Sequence, residues 1–191
     1  MQAEIDVRVR EILEDGDDRG ASTFAIRTLG PQVLRYLGAI LRDDEDKKDA
    51  FSRWAENLWR GLPGFRWQSS LRTWAFRLAY RAALDLRDQA WRRRETRLES
   101  GEASNIAESV RSATAGRVER QRSILRELLQ NLTMEEQALV ELRVDQCLPW
   151  EEIAEVLARD GDAPDPGTIA KRFERVKARL AEMLRSEGIA E

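Results

Sequence analysis

Residues 62–94, LPGFRWQSSLRTWAFRLAYRAALDLRDQAWRRR, contain a turn, a polar loop and then a long helical pattern. Proline and glycine at the start of the stretch end the preceding helical pattern, and the loop runs to Ser70. After the loop, apolar residues recur every three or four positions and predict one buried face: Leu71, Trp74, Ala75, Leu78, Ala82 and Leu86. The stretch therefore predicts an amphipathic helix that begins directly after a loop.

Three more helices are predicted upstream of this stretch. The same periodicity places them at residues 4–14, 21–42 and 47–60. The last of them carries one apolar stripe: Phe51, Ala55, Leu58 and Trp59. Trp54, Trp59 and Trp74 lie on apolar faces, where a tryptophan is more typical of a core than of a ligand contact. No strand-like alternation occurs in the sequence, so an all-α protein is expected.

A second set of helices is predicted in the C-terminal part of the chain. It begins with a helical run at residues 118–132. Thr133 and Glu136 then have the spacing of a capping box, so a helix should begin at Met134. The apolar positions of that helix are Leu139, Leu142 and Val144. Another helix is expected at residues 150–157.

The last predicted helix begins at an aspartate-proline pair. Asp165 is a suitable N-cap, and Pro166 is favoured at the first helical position. One side of this helix is apolar: Ile169, Phe173, Val176, Leu180 and Met183. The other side carries cationic residues near the helix start, as a recognition helix in a helix-turn-helix does.

A polar segment separates the two sets of helices. Residues 98–117 contain mostly serine, glutamate, alanine and glycine, and few large apolar residues, which indicates a flexible linker. We therefore predict an all-α protein of two small helical domains joined by this linker. The first domain is expected at residues 1–97 and the second, a helix-turn-helix domain, at residues 118–191.

The composition argues against several classes of protein. The 191 residues include no histidine and a single cysteine, Cys147, which removes the commonest general base and rules out an intrachain disulfide or a cysteine metal cluster. No phosphate-binding loop or nucleophile motif is present, so we expect no enzyme activity, no cofactor and no metal. No apolar run approaches the roughly 20 residues that cross a bilayer. The charged N-terminus does not resemble a signal peptide, and a soluble cytoplasmic protein without membrane insertion is expected.

Local charge favours nucleic acid although the net charge is −3. Arginines dominate residues 66–97 over three acids: Arg66, Arg72, Arg77, Arg81, Arg87, Arg92, Arg93, Arg94 and Arg97, against Asp85, Asp88 and Glu95. The other acidic residues concentrate at 11–18, 43–49 and 99–108. Because the local field attracts phosphates, residues 66–97 are predicted to lie near nucleic acid.

Two segments resemble bacterial RNA polymerase sigma factors of the extracytoplasmic-function type. Phe65, the polar loop, the run SLRTW at 70–74, and Asp85 followed by arginines are similar to the family's loop and helix for the minus-ten promoter element. The sequences EEIAEVL at 151–157 and GTIAKRFERVKARL at 167–180 resemble its helix-turn-helix for the minus-thirty-five element. The two matches occur in the family's order.

This resemblance implies contacts with promoter DNA and with core RNA polymerase. The DNA contacts would be Phe65, Trp67, Ser69, Ser70, Arg72, Trp74, Arg77, Arg81, Arg92, Arg93, Thr168, Lys171, Arg172 and Arg175. The polymerase-facing residues would be Asp43, Asp44, Asp46, Asp49, Glu56, Leu58 and Trp59. The implied mechanism is capture of a flipped base by the loop, in which Trp67 is expected to be exposed. An anti-sigma factor is a further candidate partner.

The sequence differs from the family pattern at three places. The family's acidic signature is reduced to Asp49, Arg81 stands where asparagine is common, and the turn at 158–164 is several residues longer.

Two other functions remain open. A helix-turn-helix repressor or activator would form a symmetric dimer on a palindromic site without the polymerase. A protein-interaction role without DNA is the third possibility, and it would be favoured if Arg172→Ala and Arg175→Ala left promoter-dependent activity intact. Lys171, Arg172, Arg175 and the acids of the third helix could also be solvated faces. A sigma factor predicts instead a monomer that binds DNA weakly alone and core polymerase tightly.

Overall fold

The computed structural model describes residues 2–94, 131–159 and 162–186, together with Leu129, and the regular structure of these residues is helical. Within them, an N-terminal group comprises α1 (Gln2–Glu14), α2 (Asp18–Ile40), α3 (Asp44–Gly61) and α4 (Leu71–Arg94). A C-terminal group comprises α5 (Met134–Val140), α6 (Trp150–Leu157) and α7 (Pro166–Ser186). The predicted all-α class with two helical regions is confirmed. The predicted linker and most of the helical run at 118–132 lie outside the described residues.

None of the described helices combines the length and the apolar character needed to cross a bilayer.

Aspartate caps make α2 and α3 begin earlier than the apolar periodicity predicts. The side chain of Asp17 accepts a hydrogen bond from the Gly20 amide at 2.8 Å. Asp43 accepts from the amides of Glu45 at 2.7 Å and Asp46 at 3.2 Å. These bonds satisfy donors that a helix start leaves unpaired. The first turns are polar, so the apolar pattern becomes visible only one turn later.

The two helix starts predicted in the C-terminal group are confirmed. The Thr133 amide donates to the Glu136 carboxylate at 2.8 Å, and the Glu136 amide donates to the Thr133 hydroxyl at 3.3 Å, which completes the capping box. Asp165 accepts from the Thr168 amide at 2.8 Å, and α7 begins at Pro166. Both starts depend on local side chains, which is why the sequence predicts them well.

Helix α5 does not continue as a regular α-helix. A π-helical turn follows at Glu141–Asp145, and the Gln146 amide donates to the Glu141 carbonyl at 3.0 Å. Leu142 is buried as predicted, but Val144 is 56% exposed. The prediction of Val144 as an apolar contact is wrong because the wider π turn rotates the residues that follow it.

The N-terminal core is built where α2, α3 and α4 meet. Trp54 of α3 is fully buried, and its indole nitrogen donates to the Ala75 carbonyl of α4 at 3.0 Å. Tyr36 of α2 meets Phe76 of α4 edge to face, with ring centroids 5.3 Å apart. These contacts hold α4 firmly, and α4 in turn fixes the end of the loop that precedes it.

The two helical groups pack against each other. Helix α6 lies on α4, and α5 lies on α2. One cluster of buried apolar residues includes members of both groups, such as Leu71 and Ile153. The start of α4, where the sequence predicts DNA contacts, therefore lies close to the C-terminal group.

Candidate nucleic-acid interface

Residues 65–70 form the loop between a short 3-10 turn, Leu62–Gly64, and helix α4. The ring of Phe65 stacks on Trp74, with centroids 4.6 Å apart and planes 22° from parallel. Behind this pair, a Cβ on Gly61 would approach the Trp74 ring to 3.0 Å, so only glycine leaves that ring in place. The stacked pair is therefore a fixed aromatic surface at the base of the loop.

A cleft of about 410 Å³ opens beside the aromatic pair. Its lining comes from the end of α3, the 3-10 turn, the loop, α4 and one residue of α6: Gly61, Gly64, Phe65, Arg66, Gln68, Ser69, Trp74, Arg77 and Glu155. Among the residues that the structure describes, no group hydrogen-bonds to the buried Nε atom of Arg77. An apolar ring surface beside a cationic side chain is suited to a flat, polar, aromatic ligand. Four predicted DNA contacts, Phe65, Ser69, Trp74 and Arg77, thus line one cleft.

Trp67 lies elsewhere. It is half-buried and does not line the cleft, and its backbone has a φ of 56°, which is rare for a bulky residue and costs on the order of 1–3 kcal/mol. The guanidinium carbon of Arg10, in α1, lies 4.3 Å from the centre of its ring. Trp67 thus lies between Phe65 and α1, outside the cleft lining, and its predicted base contact stays a prediction.

A network of polar groups surrounds the start of α4. The Thr73 amide donates to the Ser70 hydroxyl at 3.1 Å, so Ser70 caps the helix. The Leu71 amide donates to the Asp6 carboxylate at 3.2 Å, and the Thr73 hydroxyl donates to Glu152 of α6. Burial raises the pKa of Asp6, although the bond from Leu71 opposes this effect.

No pattern in the sequence indicates that Asp6 or Glu152 belongs to this site. Both lie on helices distant in the chain, separated from their partners by 65 and 79 residues. Only the packing of α1 and α6 onto α4 brings these carboxylates to the helix start.

Arg72 is held by other protein groups. Its guanidinium donates to the side chain of Gln32 at 3.2 Å and to the backbone and side-chain oxygens of Gln146 at 3.0 and 2.8 Å. Burial lowers the pKa of Arg72. In this arrangement Arg72 joins the two helical groups, and the DNA contact predicted for it stays a prediction.

The remaining predicted cations of the first region follow α4 toward its end. Arg81 is exposed. Helix α4 extends through Arg92 and Arg93, whose side chains lie outside the described part of the chain.

Helix α7 presents its predicted cations to solvent. Thr168, Lys171, Arg172 and Arg175 are all exposed, whereas the opposite side of the helix buries Ile169, Phe173 and Val176. The Arg172 side chain is ion-paired with Glu135 in the first turn of α5. This pairing neutralises one of the cations that the sequence assigns to DNA.

The predicted polymerase-facing residues divide into two classes. Asp43, Asp44, Asp49, Glu56 and Trp59 are exposed, and Asp46 is half-buried. Leu58 is 0% exposed, so its assignment to this surface is wrong: it faces the core between α3 and its neighbours. Trp59, which the apolar stripe also placed in the core, is 42% exposed.

Comparison with known proteins identifies the family of this chain. The family described as sigma-70 region 2 matches residues 18–93. RNA polymerase sigma factor YlaC of Bacillus subtilis (strain 168) is 30% identical over 132 residues, which are 66% of this chain and 73% of that protein. The chain belongs to the sigma-70 family, extracytoplasmic-function type. The predicted family is therefore confirmed.

A solved sigma factor also shares the fold of this one. The structure of RpoE from Bartonella quintana, in complex with the anti-sigma factor NepR, superposes with a TM-score of 0.65. The superposition covers 84% of this chain and 94% of that chain at 17% sequence identity. In the present protein, α1 precedes the residues that match sigma-70 region 2.

Proposed function

We propose that this sigma factor binds core RNA polymerase and directs it to a promoter, where the cleft beside the 65–70 loop captures an unpaired base. The observation that carries this proposal is the stacked pair of Phe65 and Trp74 in a cleft whose lining also includes Arg77. Stacking of one base on an aromatic side chain contributes about 1–3 kcal/mol, which offsets part of the cost of unpairing it.

Arg77 adds a polar requirement to this capture. Its guanidinium can donate a hydrogen bond to an acceptor atom on the bound base, and a hydrogen bond to a charged group contributes about 1.5–3 kcal/mol. A duplex would gain no stacking energy in this cleft, because only a base that has left the DNA stack can lie on the aromatic rings. The cleft thus favours opened over closed DNA.

Helix α7 would contact the upstream promoter element as duplex. Thr168 and Lys171 lie in its first turns and are exposed, and a recognition helix offers such residues to the major groove. Arg175 is exposed one turn further along the helix. Lysine and arginine there would also contact phosphates.

The exposed side of α3 is the candidate surface for core polymerase. Trp59 projects there beside acidic residues of the same helix, and exposed aromatic residues often supply most of the binding energy of an interface. The RpoE structure was determined with an anti-sigma factor, which supports a protein of that kind as a further candidate partner. We propose that the free protein is a monomer.

Run-off transcription with bacterial core RNA polymerase, with and without this protein, tests the proposal. New discrete start sites that require the protein are expected. Arg77→Gln should lower open-complex formation about fivefold to a hundredfold, since an unmet hydrogen bond to a base is worth about 1–3 kcal/mol. Arg87→Gln, on the same helix but outside the cleft lining, is the charge-matched control and should retain activity.

Absence of new transcripts, together with absence of binding to core polymerase, would reject the sigma function. A stable dimer on a palindromic site would then favour the repressor or activator alternative.

A further inference from the structure

Helix α1 is anchored to the N-terminal core. Val9 is fully buried, and Ile5, Ile12 and Leu13 pack against the core from partly buried positions. A helix fixed along one side holds the side chains on its neighbouring face in defined places. Asp6 and Arg10 are four residues apart and therefore lie on the same face.

These two residues contact opposite ends of one short segment. Arg10 lies over the ring of Trp67, with its guanidinium carbon 4.3 Å from the ring centre. Asp6 accepts the hydrogen bond of the Leu71 amide at 3.2 Å. Residues 67–71 are thus held at both ends by α1, and between them lie Gln68 and Ser69 of the cleft lining.

The backbone of the segment explains why such support is needed. The φ of 56° at Trp67 is disfavoured for a tryptophan and persists only where neighbouring groups stabilise it. In this conformation Trp67 makes a cation-π contact with Arg10 and a ring contact with Phe65, at 5.0 Å, and both contacts stabilise it. Without them, the loop would be free to adopt commoner backbone angles.

We propose that Asp6 and Arg10 are positioning residues for base capture, which hold the 67–71 segment so that the cleft is formed before DNA arrives. Preorganisation of this kind strengthens binding because the loop is already ordered, and base capture does not incur the entropy cost of ordering it. The inference rests on the proposed function, and it extends the site to a helix outside the residues that match sigma-70 region 2.

Arg10→Ala and Arg8→Ala form a matched pair of variants. Arg8 lies on the same helix, is exposed and pairs with Glu11 at 2.9 Å, so its loss changes charge without touching the loop. Amide hydrogen exchange of peptides that cover residues 65–71 should be faster in Arg10→Ala and in Asp6→Ala than in the wild type. It should be unchanged in Arg8→Ala. Equal exchange in all four proteins would overturn the proposal, whatever transcription shows.

The functional readout is a scan of abasic sites along the non-template strand of a premelted promoter bound by the holoenzyme. In the wild type, the captured position is the one where loss of the base weakens binding most. In Arg10→Ala the affinity lost on removal of the base should be about two- to fivefold smaller at this position only. This factor corresponds to the free energy of an exposed cation-π contact. Arg8→Ala should match the wild type.

Other results of the scan separate the possible failures. Uniform weakening of Arg10→Ala at every position would indicate a phosphate contact and overturn the positioning role. An unchanged loss at the captured position would overturn it as well. If the wild type forms no complex with core polymerase, the proposed function fails, whereas the exchange experiment on the free protein still tests the contacts of α1.

Discussion

Leu58 and Trp59 are adjacent in sequence yet differ completely in environment. Leu58 is 0% exposed, whereas Trp59 is 42% exposed. Helical periodicity indicates a broad apolar stripe on α3, but it does not show which of two neighbouring apolar residues at its edge faces the core. That choice depends on how α3 rotates against α2 and α4, which the sequence of α3 alone does not encode.

Truncation of these two neighbours should therefore have opposite consequences. Leu58→Ala leaves a cavity in the core and should lower the free energy of unfolding by about 2–5 kcal/mol. Trp59→Ala should change that stability little but weaken binding to core polymerase by tenfold or more, as loss of an interface anchor of roughly 2 kcal/mol does. Denaturant unfolding and a core-binding titration measure the two effects. A stability loss in Trp59→Ala as large as that in Leu58→Ala would contradict the assignment.

At the level of helices, the sequence predicts those features that local side chains determine. The capping box at Thr133 and the proline start of α7 are where it places them. The left-handed backbone of Trp67 and the π turn after Val140 are not visible in it, since no local capping or turn motif marks either position. Four of the cleft residues were predicted as contacts, whereas Glu155 of α6 and the orientation of Trp67 toward α1 were not.

Pairing between α5 and α7 limits the charge that the recognition helix offers to DNA. Glu135 pairs with Arg172 and lies 3.9 Å from Arg159. Glu135→Gln should release Arg172 for a phosphate contact and steepen the salt dependence of duplex binding by about 0.9 in log–log slope. Stability should change by less than about 1 kcal/mol because the ion pair is partly exposed.

The measurement is the affinity of holoenzyme for the upstream duplex element over a range of salt concentrations. Glu182→Gln, an exposed charge further along α7, is the control for net charge. If both variants show the same slope, Arg172 does not gain a phosphate contact.

At the scale of the whole molecule, the two helical regions were predictable and their packing was not. The bonds from Arg72 to Gln146 span 74 residues, and no local pattern in either segment indicates such a pair. The packing also buries a carboxyl group. Glu141 is 8% exposed, beside Asp145 and Gln146 and close enough to Arg35 of α2 to interact with it. The fully buried Tyr36 of α2 also interacts electrostatically with Glu141.

This burial predicts a pH dependence of stability. Burial first, and then the neighbouring Asp145, raise the pKa of Glu141 from 4.5 to about 7. The folded protein therefore retains a proton that the unfolded chain releases near pH 4.5. The resulting stabilisation is complete below that pH and is lost as the pH rises through about 7. Glutamine has nearly the same shape as the protonated acid and does not titrate, so Glu141→Gln should keep the stabilisation at higher pH.

Thermal unfolding of the wild type and of Glu141→Gln between about pH 5 and about pH 8 measures this effect. The two proteins should have similar melting temperatures at the acidic end, and the variant should be the more stable at the alkaline end. The difference in melting temperature between the two proteins cancels the contributions of other carboxylates to the pH dependence. One of these is Glu136, whose pKa is lowered and whose contribution has the opposite sign. A difference that stays constant with pH would show that Glu141 is ionised in the folded protein, and that Arg35 compensates its charge where the two regions meet.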